Sequence, residues 1–262
     1  MNEPLYIIKI GGNIIDDNAK LSPFLKEFAA VVGNKILVHG GGQLATKLSN
    51  QLGIQQHLIE GRRITDAETL KIVTMVYAGW INKNIVAQLQ ASDCNAVGLC
   101  GADGDIILAH KRKHPALDFG FVGDVDFVNT SLIKKLLEQK LTLVIAPITH
   151  DQQGQLLNTN ADTIAQELAK ALSNEFDVHL IYSFEKSGVL ENAEDDNTVI
   201  PTINRSFYNK LKKEEKIFAG MIPKLENAFT ALNHGVKKVI IGKAENLSML
   251  MSGTSGTNIV NE

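Results

Sequence analysis

Lys9 stands one residue from the end of an apolar run, Leu5-Tyr6-Ile7-Ile8-Lys9-Ile10, which reads as a strand buried on both faces and stops at Gly11-Gly12. An ammonium group in that setting is costly unless an anion meets it, and paired glycines let backbone N–H groups come close to such an anion. The segment by itself leaves two readings open: an anion site at the carboxyl end of a strand, or a lysine snorkelling from a strand end beside an ordinary turn. A second apolar run, Lys35-Ile36-Leu37-Val38-His39, ends at Gly40-Gly41-Gly42. Farther along, Arg63, the group Asn158, Asn160 and Asp162, and Lys224 near Gly220 also fall at the ends of expected elements. Cations and glycine-rich turns in these places make chemical sense if they share one anionic ligand.

Other chemistries find less support. The only Gly-Lys pair, Gly242-Lys243, is followed by alanine, so the Walker A phosphate loop is absent. Gly40, Gly42 and Ala45 fit the spacing of a dinucleotide-binding turn, with Glu60 lying 20 residues beyond Gly40, but Glu60 precedes Gly61-Arg62-Arg63 instead of ending an apolar strand. Of the seven histidines only His110 and His114 stand at H-x-x-x-H spacing, with three cations between them, which argues against a catalytic metal cage, and His39 reads as a satisfied strand-end residue. No G-x-S-x-G elbow is present.

The elements that must hold these residues alternate. Strand, helix and strand over residues 5–39 imply a right-handed parallel unit, which brings both glycine clusters to one sheet edge. Ser22-Pro23 reads as the N-cap and first residue of the intervening helix. Asp66 or Thr65 caps a long helix through Leu89, whose Val73, Val76, Tyr77, Trp80 and Ile81 form a stripe suited to the core or to a subunit interface. From Ile106 to Phe127 short alternating segments suggest antiparallel hairpins, with Lys111-Arg112-Lys113-His114-Pro115 as a solvated tip. Apolar runs near 96–99, 141–146, 178–183 and 238–241 complete an α/β fold: a mostly parallel central sheet sandwiched by helices, with antiparallel hairpins over the substrate side.

At 262 residues and 44% hydrophobic content the chain can bury a substantial core. Lys+Arg 26 against Asp+Glu 29 leaves a net charge of -3, which gives no global reason to expect nucleic acid or an anionic membrane as partner. Cys94 and Cys100 read as reduced core thiols of a cytoplasmic protein, and no stretch has the form of an export signal or membrane span.

Taken in order, Lys9-Ile10-Gly11-Gly12, Val38-His39-Gly40-Gly41-Gly42, Gly61-Arg62-Arg63-Ile64-Thr65, Asn158-Thr159-Asn160-Ala161-Asp162, Gly220-Met221-Ile222-Pro223-Lys224 and Gly256-Thr257 resemble the amino acid kinase family across nearly the whole chain. The resemblance is to its members that phosphorylate the γ-carboxylate of an N-acylated glutamate in arginine biosynthesis. It implies one domain, 1–262, with an acylglutamate-binding lobe over about 1–175 and a nucleotide-binding lobe over about 176–262. It implies that Lys9 and Lys224 stabilise the phosphoryl group in transit while Asp162 holds both ammonium groups. Gly41, Gly42, Arg63 and Asn158 would bind the acylglutamate, with Arg63 on its α-carboxylate, and Gly11, Gly12 and Gly220 would meet the phosphates. Magnesium would arrive as MgATP, with few protein ligands. On the residues alone, the alternative is that Asp162 is a first-turn helix acid and Asn158 or Asn160 only a cap.

Two departures from the family pattern bear on substrate. Phe184-Glu185-Lys186-Ser187-Gly188 replaces the usual Asp-Val-x-Gly near the nucleotide. Arg62 takes a place that is commonly apolar: it is either solvated or a sign that the acyl group carries its own carboxylate, as in N-succinyl-L-glutamate. The acetyl compound is the expected substrate. A homodimer through the Asp66 to Leu89 helix and insensitivity to arginine are also expected, and a catalytically silent sensor of the same fold is the alternative from another class.

Overall fold

The computed structural model describes residues 2–59, 62–192, 194–217 and 221–261, with Arg62 as backbone only. The first half comprises β1 (Pro4–Ile10), α1 (Gly12–Ile15), α2 (Asn18–Ala30), β2 (Asn34–His39), α3 (Leu44–Gln51), β3 (Leu58–Ile59), β4 (Arg62–Arg63), α4 (Ala67–Thr74), a π turn over Met75–Ile81 and α5 (Asn82–Gln90). There follow β5 (Ala96–Leu99), β6 (Ile107–Lys111), β7 (Val122–Val128), α6 (Thr130–Glu138), β8 (Thr142–Ile145), β9 (Ile148–His150), β10 (Leu156–Thr159) and α7 (Ala161–Leu172). The last stretch holds β11 (Asp177–Phe184), β12 (Thr202–Ile203), α8 (Arg205–Lys213), α9 (Ile222–Asn233), β13 (Lys238–Lys243), α10 (Leu247–Ser252) and β14 (Thr257–Ile259).

Eight strands make one sheet in the order β12-β14-β13-β11-β1-β2-β8-β5. Each neighbouring pair is parallel except β13 with β14. β1 lies between β11 and β2, so it must be apolar on both faces, and its alternation divides the core in two. Leu5 and Ile7 pack with α7 residues such as Ile164 and Leu168, whereas Ile8 and Ile10 pack with Leu21 and Phe24 of α2. Lys9 has the parity of Leu5 and Ile7 and therefore emerges on the α7 side. Parallel strands also bring the carboxyl ends of β1, β2, β8 and β11 to one edge, where both glycine clusters lie.

The region read as hairpins, Ile106 to Phe127, forms the antiparallel β6/β7 pair, and β9/β10 is a second antiparallel pair farther along. Parallel pairings of β7 with β10 and of β6 with β9 close them into a four-stranded barrel. That closure depends on partners far apart in sequence and leaves no local signature.

Two sequence expectations are corrected. Ser22-Pro23 does not begin the first long helix; Asp17 does, its carboxylate accepting the Ala19 N–H at 2.9 Å, and Pro23 lies inside α2. A proline in the second turn gives up a single ladder bond, and the aspartate cap outcompetes the serine one. Trp80 does not join the buried stripe: Val73, Val76, Tyr77 and Ile81 are buried, but Trp80 is 66% exposed. The π turn between α4 and α5 widens the helix and rotates its phase, so 3.6-residue counting fails there. Cys94 is buried as expected, while Cys100 is only partly so; both are free thiols.

Candidate active site

Lys9, Lys224 and Asp162 converge although they come from three elements. Lys9 ends β1 one residue early, Asp162 is the second residue of α7, and Lys224 is the third residue of α9. The Asp162 carboxylate receives the Lys9 Nζ at 2.7 Å on Oδ1 and the Lys224 Nζ at 2.6 Å on Oδ2. The anion required by Lys9 is therefore first of all an internal one. Asn160 caps α7, its Oδ1 accepting the N–H groups of Asp162 at 2.9 Å and Thr163 at 3.1 Å. That cap fixes the start of the helix and aims the Asp162 side chain towards β1. Tyr182 of β11, paired in register with Lys9, donates its hydroxyl to the Asp162 carbonyl at 3.3 Å.

The first turn of a helix suits a carboxylate and disfavours an ammonium. Asp162 thus sits where the dipole helps, whereas Lys224 sits where it does not and depends on Asp162. Burial pushes the Asp162 carboxyl up, but Lys9 and Lys224 together outweigh it and hold the group well below the usual carboxylate range. Burial, seconded by Lys224, pushes the Lys9 ammonium down against the pull of Asp162. Two cations on one carboxylate leave a net positive charge at the junction, which a ligand anion can meet.

On one side of the junction a cleft of about 260 Å³ is lined by Lys9, Gly40, Gly41, Gly42, Arg63, Tyr77, Arg112, Asn158 and Asp162, among others. Arg63 is held by neutral partners, the Gln56 Oε1 and the Thr46 Oγ1 at 2.9 Å, and has no carboxylate partner among the described residues. Asn158 of β10 donates to the Thr65 hydroxyl at 3.0 Å. Gly41 lies against Tyr77, and a Cβ there would fall within the ring. Gly42 takes φ +55°, and the Asp16 carboxylate fills the space of its missing side chain while accepting the Gln43 N–H at 2.7 Å. A Cβ on Gly12 would stand 2.8 Å from the Gly42 Cα, so the two glycine turns touch because neither has a side chain.

Gly11 is arranged otherwise. Its N–H donates to the Ser183 carbonyl at 3.0 Å, which leaves Gly12 and Asn13, at the start of α1, as amides without a partner inside the helix. On the other side of the junction a cleft of about 360 Å³ is lined by Phe184, Glu185, Lys186, Gly188, Val189, Leu190, Glu194, Lys216, Met221 and Lys224. It contains most of the segment that departs from the family pattern, together with Glu194. Gly220 and Gly61 lie outside the described residues.

His39 is the satisfied residue expected. Its Nδ1 donates to the Gly40 carbonyl at 2.9 Å, and its Nε2 accepts from Asn82 at 3.2 Å. Burial pushes its pKa down to about 4, so it is neutral at pH 7.

Tyr77, Asp16 and Arg112 escaped sequence reading. Arg112 belongs to the basic run taken as a solvated tip, but it points into the first cleft, where Asp124 accepts from its Nε at 3.0 Å and from its Nη2. Strand alternation offered a signal, because Lys111 and Arg112 must face opposite ways. Lys111 is the solvated one, about half exposed.

Residues 4–243 match the amino acid kinase family, and the chain belongs to that family. Within it, the chain is similar to the acetylglutamate kinase of Cytophaga hutchinsonii, at 56% identity over 98% of this chain and 99% of that one. It is 55% identical to the acetylglutamate kinase of Bacteroides fragilis over 92% of each chain. Among solved structures, the smu.665 protein of Streptococcus mutans superposes with a TM-score of 0.82 at 28% identity, covering 98% of this chain and 99% of that one.

Proposed function

We propose that the chain transfers the γ-phosphoryl group of ATP to the γ-carboxylate of N-acetyl-L-glutamate, forming N-acetyl-L-glutamyl 5-phosphate in arginine biosynthesis. The observation that carries this reading is the Lys9–Asp162–Lys224 bridge standing between two clefts. The first cleft is lined by residues up to Asp162 and the second by residues from Phe184 onward, which supports an acylglutamate lobe over about 1–175 and a nucleotide lobe over about 176–262.

A carboxylate with a pKa near ~4 is ionised at neutral pH, so the acceptor needs no general base. The difficulty is bringing an anion in line with a polyanion and holding the charge of the migrating phosphoryl group. Lys9 and Lys224, fixed by one carboxylate, meet that group from the acceptor and donor sides. The Gly12 and Gly41 amides approach the phosphates and the reacting carboxylate, with Gly11 shaping the turn. Arg63 takes the α-carboxylate through a forked contact, and Asn158 and Gly42 complete the acylglutamate site.

Magnesium fits here as a companion of the nucleotide, since Asp162, the acid at the junction, is already engaged by two ammonium groups. Bound to ATP, it would neutralise charge on the β- and γ-phosphates.

The test is ADP release coupled to trapping of the acyl phosphate as a hydroxamate. N-acetyl-L-glutamate should give both, and free glutamate or carbamate should give neither. Nucleotide binding without either product would favour a silent sensor instead. We also infer a homodimer through the helix over residues 67–90, where Met75 and Trp80 are 57% and 66% exposed. The mass in solution should be that of two chains and fall to one in a Trp80→Lys variant; a wild-type monomer would overturn this. Free thiols fit a cytoplasmic site of action, and none of the described helices is long and apolar enough to cross a membrane.

A further inference from the structure

We propose that Arg112 reads the acyl end of the substrate, and that the site favours N-acyl-L-glutamates whose acyl chain ends in its own carboxylate, N-succinyl-L-glutamate being the simplest. This rests on the kinase reading above and deepens it. The first cleft is lined by three cationic side chains: Asp162 holds Lys9, Asp124 holds one edge of Arg112, and Arg63 has neutral partners. N-acetyl-L-glutamate brings two carboxylates. The γ-carboxylate has to face Lys9, where the phosphoryl group arrives, and the α-carboxylate suits Arg63, which has no carboxylate partner among the described residues. The acetyl group is neutral and offers Arg112 no charge beyond that of Asp124, which engages only one edge of the guanidinium.

Arg112 is also incompletely satisfied. Asp124 engages its Nε and Nη2, but its Nη1 is buried with no hydrogen-bond partner among the described residues. A buried charged donor left unmade is costly, and a ligand oxygen at that point would recover the cost. The guanidinium is held ready for one. The Arg112 backbone N–H donates to the Val122 carbonyl at 2.7 Å, which fixes the residue beside β7, and the guanidinium carbon stands 5.9 Å from the centre of the Phe119 ring. Val122 is paired in register with Asn158, so Arg112 borders the substrate cleft on its barrel side, while Lys9 and Asp162 border it at the sheet edge. A glutamate spanning from Lys9 to Arg63 would turn its N-acyl group towards the remaining wall, which holds Arg112.

The experiment compares kcat/KM for N-acetyl- and N-succinyl-L-glutamate in the wild type and in Arg112→Leu and Arg112→Lys. The wild type should favour the succinyl compound about 10- to 100-fold, the range that a charge-assisted contact provides. Arg112→Leu should lower that ratio by a similar factor, chiefly through KM, and Arg112→Lys should restore part of it. The wild-type ratio needs no variant, so a folding defect in Arg112→Leu leaves the test intact. Equal or better use of the acetyl compound by the wild type would overturn the inference and leave the kinase reading standing, as would a ratio that Arg112→Leu does not move. ADP release with neither compound would remove both.

Discussion

Lys224→Ala is expected to lower kcat by about 10²–10³ while the protein still folds, because a preorganised charge aimed at the migrating phosphoryl group acts mainly in the transition state. Lys224 is the cleaner of the two lysines to remove. Its side chain is 21% exposed and stands at a helix start, whereas that of Lys9 is 11% exposed and rises from the central strand. Lys9→Ala should lose at least as much turnover, and some stability with it. In both variants the loss should appear in kcat more than in KM, since a contact made equally to bound ATP would act on KM alone. Lys224→Arg should not restore the rate, for a planar fork cannot present the same point charge between Asp162 and a phosphoryl oxygen. Near-normal turnover in either alanine variant, measured by coupled ADP release, would refute the assigned role.

The pH dependence adds a second reading of the same pair. Burial and Lys224 lower the Lys9 pKa from the ordinary 10.5, so the alkaline limb of kcat/KM, which reports the free enzyme, should lie below that value. Bound phosphates favour the charged form, and the limb of kcat should lie higher. A kcat/KM that stays flat up to the ordinary lysine range would count against Lys9 as the required cation.

Much of this arrangement was legible in the chain because it follows from parallel-sheet geometry. An apolar run ending in glycines reads as a buried strand with its turn, and a βαβ unit brings two such turns to one edge; the structure has β1 and β2 ending side by side. The meeting of Asp162 with Lys224 across 62 residues has no local trace, and resemblance to a family pattern was the only guide to it. What was misread has physical causes. Trp80 was assigned by 3.6-residue periodicity across a π turn, where that periodicity does not hold. Arg112 was grouped with its charged neighbours, although its carboxylate partner, Asp124, lies 12 residues away across a strand pair. A charge run shows where a chain is polar; only the pleat shows which member turns inward. Tyr77 was read as core, and it is buried, but its ring also forms the wall against which Gly41 lies.

Asp162→Asn should be the most damaging of the conservative changes in the cleft, because it removes the one negative charge shared by two buried or half-buried ammonium groups. Breaking a buried pair costs about 3–5 kcal/mol, and here two pairs are broken by one substitution. The variant should therefore be less stable than the wild type by several kcal/mol at pH 7. The pH dependence of that difference has a definite sign. The Asp162 carboxyl is held below its ordinary 3.8 in the folded protein, so its stabilisation is fully present above that value and is lost as the pH falls towards the folded-state pKa. The gap between wild type and variant in urea-unfolding free energy should thus be widest near neutrality and narrow below pH 3.8. Equal stabilities at pH 7, or a gap that grows in acid, would show that the carboxylate does not hold the lysines. Turnover should fall as well, by about as much as the loss of one lysine, since unanchored ammonium groups repel each other and no longer point at the same oxygen atoms. MgATP supplies the missing negative charge, so it should raise the melting temperature of Asp162→Asn by more than it raises that of the wild type.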